Sequence, residues 1–163
     1  FVLFAIIQFH LQKQMKKITL LLIAFLFSSV LMAQQSPTTN QQEVQQTVIR
    51  FFDALSNRDS VSLKAHSTAD ITLYEYGQVW TMDTLIHKAI TLSQSANFKR
   101  TNSFDFINTT TDKNMALVNY RLQSVITKDD KPVTLQWLES VVLVKIKKQW
   151  KVKHLHSTLI KRS

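Results

Sequence analysis

Three residues near the end of the chain carry side chains suited to moving protons: Glu139, His154 and His156. An imidazole titrates close to neutrality, so a histidine beside a carboxylate is a ready acid–base pair. The two histidines stand in Trp150-Lys-Val152-Lys-His154-Leu-His156-Ser-Thr158, which reads as a β-strand. A strand turns every second residue to one face, which groups Trp150, Val152, His154, His156 and Thr158 against Lys151, Lys153, Leu155 and Ser157. Because Trp150 and Val152 open the first set, that face is expected to look inward. Histidines two apart on a strand can also begin a metal site, and partly buried histidines bonded to their neighbours fit the same spacing. Neither a metal nor a cofactor is expected from it.

What faces the histidines depends on the preceding turn. With Lys147-Lys148 at its tip, Glu139 falls opposite His156 and Val141 opposite His154. With Lys148-Gln149 at its tip, Glu139 falls opposite Thr158. Both registers place Trp137, Glu139 and Val141 on the histidine face, whereas a three-residue turn would put Leu138, Ser140, Val142 and Val144 there, since a slip of one residue moves every side chain across the sheet. Glu139, His154 and His156 are therefore the candidate catalytic residues. Tyr74, Tyr76, Trp80, Tyr120 and Trp137, with Val152 and Thr158, are the candidate wall of a pocket for a small, partly apolar ligand, because aromatic rings with polar tips suit such a lining. Tyr74 and Tyr76 are expected on one face of their strand, opposite Leu73 and Glu75.

Other chemistries lack their residues. The 163-residue chain has no cysteine, hence no thiol nucleophile, lipid-modified cysteine or disulfide. It has one glycine, Gly77, and neither a glycine-rich phosphate loop nor a Gly-x-Ser-x-Gly elbow. The net charge of +9 includes lysines Lys145, Lys147, Lys148, Lys151 and Lys153 around the last turn, a pattern of a solvated hairpin tip and not of a nucleic-acid surface.

The elements that must position these residues follow from periodicity. Val44, Val48, Phe51, Phe52 and Leu55 form the stripe of an amphipathic helix, with Asn40 and Glu43 as its capping pair and Asn57 as its left-handed exit. Asp59 or Ser60 caps a short second helix, and Asp83 a third that carries Leu85, Ile86, Ala89 and Ile90. Between them Ile71 to Glu75 alternates as a strand, and Gly77 turns the chain into Val79-Trp80. After the polar stretch 92–99, four long strands follow: 102–109 with Phe104, Phe106 and Asn108 on one face, 114–127, 133–147 and 150–161. Helices followed by strands predict an α+β domain with the helices on one side of an antiparallel sheet.

Ahead of this domain, Met15-Lys16-Lys17, the apolar run 18–32 and Ala33 read as a secretory signal peptide, with residues 1–14 as upstream translation and 34–40 as a linker. Cleavage after Ala33 would remove Lys13, Lys16 and Lys17 and take the net charge from +9 to +6. The expectation is a periplasmic or secreted bacterial protein, with no stable membrane anchor once the signal is removed.

Three stretches resemble the nuclear transport factor 2-like superfamily, in its SnoaL-like and ketosteroid isomerase-like branches. Val44 to Leu55 with Asn57-Arg-Asp59 is similar to the opening helix and its exit, and Ala116-Leu-Val118-Asn-Tyr120 to the third long strand. Trp150 to Thr158 resembles the closing Trp-x-Ile-x-His-x-His-x-Ser strand, with Thr158 in place of the usual serine and Lys147-Lys148-Gln149 in place of an Asp-Gly turn. The resemblance implies a cone-shaped barrel, three N-terminal helices packed on a strongly curved sheet, a pocket between the two, and a homodimer through the outer face of the sheet. It implies no single activity, since members isomerise, cyclise, dehydrate or only bind. Three functions stay open: a small-molecule-binding domain, a lyase or isomerase using Glu139 with a histidine, and a dimeric interaction module with a filled cavity.

Overall fold

The computed structural model describes residues 37–91, 95 and 97–163. The expected signal peptide and the residues before it lie outside the described residues. Pro37–Ser163 forms one unit.

Helix α1 (Thr39–Ser56) begins in a capping box: the Thr38 side chain accepts from the Gln41 backbone while the Gln41 side chain accepts from Thr38 N–H at 2.8 Å. The box therefore sits two residues earlier than Asn40 and Glu43 suggested. Its apolar stripe is as expected, with Val44, Val48, Phe51, Phe52 and Leu55 all buried. Each such side chain contributes about 1.5–3 kcal/mol on leaving water. Asn57 keeps a right-handed backbone, and Arg58 (φ 56°) makes the left-handed exit instead. Asp59 then caps α2 (Ser60–Ala65) by accepting from Val61 N–H and Ser62 N–H.

Strand β1 (Ser67–Glu75) turns into β2 (Gln78–Trp80). Thr81, not Asp83, caps the single turn α3 (Met82–Leu85), which continues as a π-helical turn, Ile86–Thr91. The long strands are β3 (Lys99–Thr111), β4 (Met115–Lys128), β5 (Lys131–Ile146) and β6 (Gln149–Arg162). They build a six-stranded sheet in the order β2-β1-β6-β5-β4-β3. All neighbours are antiparallel except β1 and β6, which run parallel. The sheet is curved and does not close. Helix α1 lies on its inner face, tied to β3 by Gln41 Nε2, which donates to Thr109 O at 2.7 Å, and Gln45 Nε2, which donates to Thr109 Oγ1 at 2.9 Å. The α+β cone expected from the sequence is the fold of the chain.

Three of the strand connections are two-residue turns with both central residues at positive φ: Tyr76-Gly77, Asp129-Asp130 and Lys147-Lys148. Such turns match the right-handed twist of the flanking strands. Of the turns the sequence left open, Lys147-Lys148 is the one adopted, with Ile146 paired to Gln149. That register does not persist. Leu143 pairs with Val152 but Val142 pairs with His154, so Lys153 is an extra residue and β6 bulges there. A second bulge in β6 leaves Ile160 unpaired, since Trp137 pairs with Leu159 and Gln136 with Lys161, and a third leaves Ile107 of β3 unpaired between Phe106 and Asn108. Each bulge adds local twist and shifts the alternation by one residue. Phe104 and Phe106 consequently face inward while Asn108, expected beside them, is exposed.

The bulge at Lys153 overturns the expected histidine face. Trp150 and Val152 are buried as expected, but beyond the bulge Leu155 and Ser157 take the inner side, while His154, His156 and Thr158 turn outward. Strand β1 is irregular beside it, between Ser67 and Thr72, and Lys153 Nζ ion-pairs with Asp70 across the two distorted segments.

Candidate functional site

An acidic pair occupies the inner face of the sheet. Glu139, on β5, is 3 % exposed and stands opposite Ser157 in the ladder. The Ser157 hydroxyl donates to Glu75 Oε1 at 2.7 Å and lies 3.1 Å from Glu139 Oε1, so the end of β1 and the middles of β5 and β6 meet at one hydroxyl. A hydroxyl has a single proton to give. It therefore serves both carboxyl groups fully only when one of them carries a proton.

Both carboxyl groups of the pair are shifted upward by their surroundings. Burial, with Glu75 adding repulsion, pushes Glu139 up from 4.5 to about 7; the nearby Tyr120 phenol, Ser157 and Arg100 hold it lower than burial alone would. Burial also raises Glu75, against the pull of Ser157, Arg100 and His156. Tyr120 is buried among the rings of Phe52, Phe104 and Phe106, with centroids 6.3, 5.5 and 5.7 Å away. Burial first, and Glu139 next, hold its phenol well above the usual tyrosine value. Its hydroxyl and Glu139 Oε2 are both enclosed without a partner in hydrogen-bonding geometry.

The counter-charge is Arg100, at the start of β3. Its guanidinium gives hydrogen bonds from Nε to Asn102 Oδ1 and from Nη2 to Ser124 Oγ, each 3.1 Å, and lies 5.6 Å from the Phe52 ring centroid. Ser124 Oγ in turn donates to Asn102 Oδ1 at 2.8 Å, and Asn102 Nδ2 donates to Ser56 Oγ at 2.8 Å, which anchors the cation to α1. Burial lowers the Arg100 pKa and the two carboxylates oppose that fall.

Above this floor is a cavity of about 290 Å³. Its apolar wall includes Phe52, Leu55, Trp80, Leu85, Phe98 and Trp137, and its polar lining is Glu75, Tyr76, Lys88, Arg100, Lys128 and Glu139. The crossing from β2 to β3 covers it, because α3 and the π-helical turn supply Leu85, Lys88 and Ala89. Tyr76 folds over Trp137 and Trp80, with ring centroids 5.3 and 6.2 Å away.

Of the residues singled out from the sequence, Glu139, Tyr76, Trp80 and Trp137 line this cavity, and Tyr120 is buried opposite Glu139 in the ladder without reaching the cavity. The others do not come to it. Val152 is packed in the core, 1 % exposed, and Thr158 is on the outer face. Tyr74 is outside too, its ring edge-on to His154 (4.6 Å) and His156 (5.9 Å). It does not share a face with Tyr76, because the turn swings Tyr76 inward. His154 Nδ1 bonds Thr72 Oγ1 at 2.8 Å, also outside. The expected pairing of Glu139 with an inward histidine is thus replaced by Glu139 with Glu75. His154→Ala and His156→Ala should change stability and any cavity-dependent binding by no more than about 0.5 kcal/mol each, the usual effect of surface substitutions, read by thermal unfolding and calorimetric titration. A loss of binding in either variant would mean that the outer face contributes to the site.

Two of the residues missed in the sequence had a visible signal. Glu75 shares the period-two face of Ile71 and Leu73, a charge where an apolar side chain belongs. Arg100 is in phase with Phe104 and Phe106 once β3 is extended back to Lys99. Ser157 had none, since only the bulge turns it inward.

A family model described as SnoaL-like domain matches residues 44–160. Among solved structures, an NTF2-like protein from Cytophaga hutchinsonii superposes with a TM-score of 0.64 at 15 % identity, covering 76 % of this chain and 100 % of that one. A ketosteroid isomerase-like protein from Erwinia carotovora atroseptica gives 0.62 at 15 % identity, with 77 % and 99 % covered. The CaMKII hub of S. rosetta gives 0.62 at 21 % identity, with 76 % and 99 % covered. At such identities these likenesses show the fold alone. No curated protein matches the sequence.

Proposed function

The chain belongs to the SnoaL-like domain family, and from that premise we propose that it binds a small, partly apolar molecule inside the cone. The supporting observation is the acidic pair of half-buried Glu75 and buried Glu139, at the floor of an aromatic-walled cavity that the protein's own side chains leave unfilled. Burying two carboxyl groups costs stability, and a ligand that donates hydrogen bonds to them recovers part of that cost. Apolar walls with a few convergent polar groups are the usual form of a small-molecule site. Native mass spectrometry of the protein from its own host should show a retained ligand that Ala89→Trp, which fills the cavity, no longer holds. Retention of the same ligand by that variant would place it elsewhere and sink the proposal.

A second reading is an enzyme of lyase or isomerase type, and one observation favours it. A carboxyl group with a pKa of about 7 is present in both protonation states near neutral pH, which suits a general acid–base. Its working pair is Glu139 with Glu75, Arg100 supplying the balancing charge. A turnover profile with an inflection near pH 7 that Glu139→Gln abolishes would support catalysis. An unchanged profile in that variant would exclude Glu139 from it.

We also infer export, from the signal-like residues 15–33, and a homodimer through the outer face of the sheet, where Met115, Leu117, Leu138 and Ile160 are exposed.

A further inference from the structure

The cavity carries its charges at two depths. Half-buried Glu75 and buried Glu139 meet at the floor, where two carboxyl groups face one guanidinium, and any charge left over is negative. The cationic side chains Lys88 and Lys128 line the same cavity but are exposed, which puts them at its opening. They come from different walls, Lys88 from the π-helical turn and Lys128 from the end of β4. Lys88 Nζ donates to Gln78 Oε1 at 3.1 Å and lies 4.6 Å from the Trp80 ring centroid, so its charge is held against an aromatic wall of the cavity. The acids that follow Lys128 are engaged away from the lining: Asp129 accepts from Ser95 Oγ at 2.6 Å and Asp130 from Asn97 Nδ2 at 3.5 Å. Among the described residues, no carboxylate lines the opening.

A ligand in this cavity therefore lies in a field that changes sign along its length. An anionic end is repelled from the floor and attracted to the opening, while a hydroxyl at the other end meets acceptors. Resting on the small-molecule reading above, we propose that the ligand is an amphipathic carboxylic acid, bound with its carboxylate between Lys88 and Lys128, its flat apolar body between Trp80, Trp137 and Phe52, and a hydrogen-bond donor against Glu139. The cavity of about 290 Å³ limits that body to roughly the size of a bicyclic ring system.

A pair of probes that differ only in charge tests this. The probes are 6-hydroxy-2-naphthoate and its carboxamide, titrated calorimetrically into the full domain, into Lys88→Gln/Lys128→Gln and into Ala89→Trp. The carboxylate should bind about tenfold more tightly than the amide at low salt, the effect of two partly exposed cations. That ratio should fall toward one in the double lysine variant, and also at about 0.5 M salt, where the screening length is a few ångströms. Equal affinities in the unaltered protein, or a preference that survives the double variant, would overturn the assignment of the lysines while leaving the binding cavity standing. Failure of both probes to bind would remove the small-molecule reading and this one together. Binding that persists in Ala89→Trp would put the probes outside the cone and overturn the proposal.

Discussion

Urea unfolding of this domain at pH 5 and pH 8 should show a fall in stability with rising pH that is smaller in Glu139→Gln, the difference between the two proteins being about 2.5 kcal/mol over that interval. The sign follows from where the proton is held. Glu139 has a folded pKa of about 7 against 4.5 for the free side chain, so the folded state binds the proton more tightly than the unfolded state. Its contribution is fully present below pH 4.5 and is lost as pH rises through 7. Glu75, also raised by burial, adds in the same direction. His66 opposes them: burial, with Arg50 and Lys151 nearby, lowers its pKa, so its contribution grows as pH rises toward 6.5. Asp59 and Asp70, whose partners lower their pKa values, act below the interval. Comparing the two proteins cancels His66, Asp59 and Asp70, and equal slopes would show that Glu139 is not held protonated.

Arg100→Met should give an effect whose size depends on pH. At pH 8 the floor holds ionised carboxylate, and removing the Arg100 guanidinium that balances it leaves that charge uncompensated; a loss of about 3 kcal/mol is the usual cost of breaking a buried pair. At pH 5 Glu139 is protonated and Arg100 has less to balance. Its own desolvation then weighs against it, and methionine packs well against Phe52. The penalty should shrink to near zero, the residue being the lost bonds to Asn102 and Ser124. The check is the same urea series, and an equal loss at both pH values would make Arg100 a packing residue and not the counter-charge of the floor.

The fold was legible because it depends on signals that repeat. The stripe Val44–Leu55 gave α1, alternation gave the strands, and the tip Lys147-Lys148 was among the turns considered. The site was legible only in part. Glu139 came out inward because β4 and β5 keep one register from Met115–Val144 to Lys128–Lys131 without a bulge. His154 and His156 were assigned to the wrong side because period-two reading assumes an unbroken strand, and nothing in Val152-Lys-His154 marks the extra residue. The cause is tertiary: the bulge at Lys153 lies against the irregular stretch of β1 and is closed by the ion pair with Asp70, which is 83 positions away and is brought there by the parallel pairing of β1 with β6. Capping residues were misplaced by two positions for a milder reason, since Thr38, Asn40, Thr81 and Asp83 are all competent caps and the packing of the helix decides among them.

The same extra residues govern how the chain length can vary. In a regular strand, losing one residue sends every later side chain through the sheet, so the strand tolerates only paired losses. Lys153, Ile160 and Ile107 are exceptions, because removing any of them would restore alternation locally, and loss of Lys153 or Ile107 would leave Leu155, Ser157 and Thr109 on the sides they already occupy. Single-residue gaps between relatives are therefore expected to collect at these three points, and sequences aligned without allowing for them would match inward residues with residues that face the solvent.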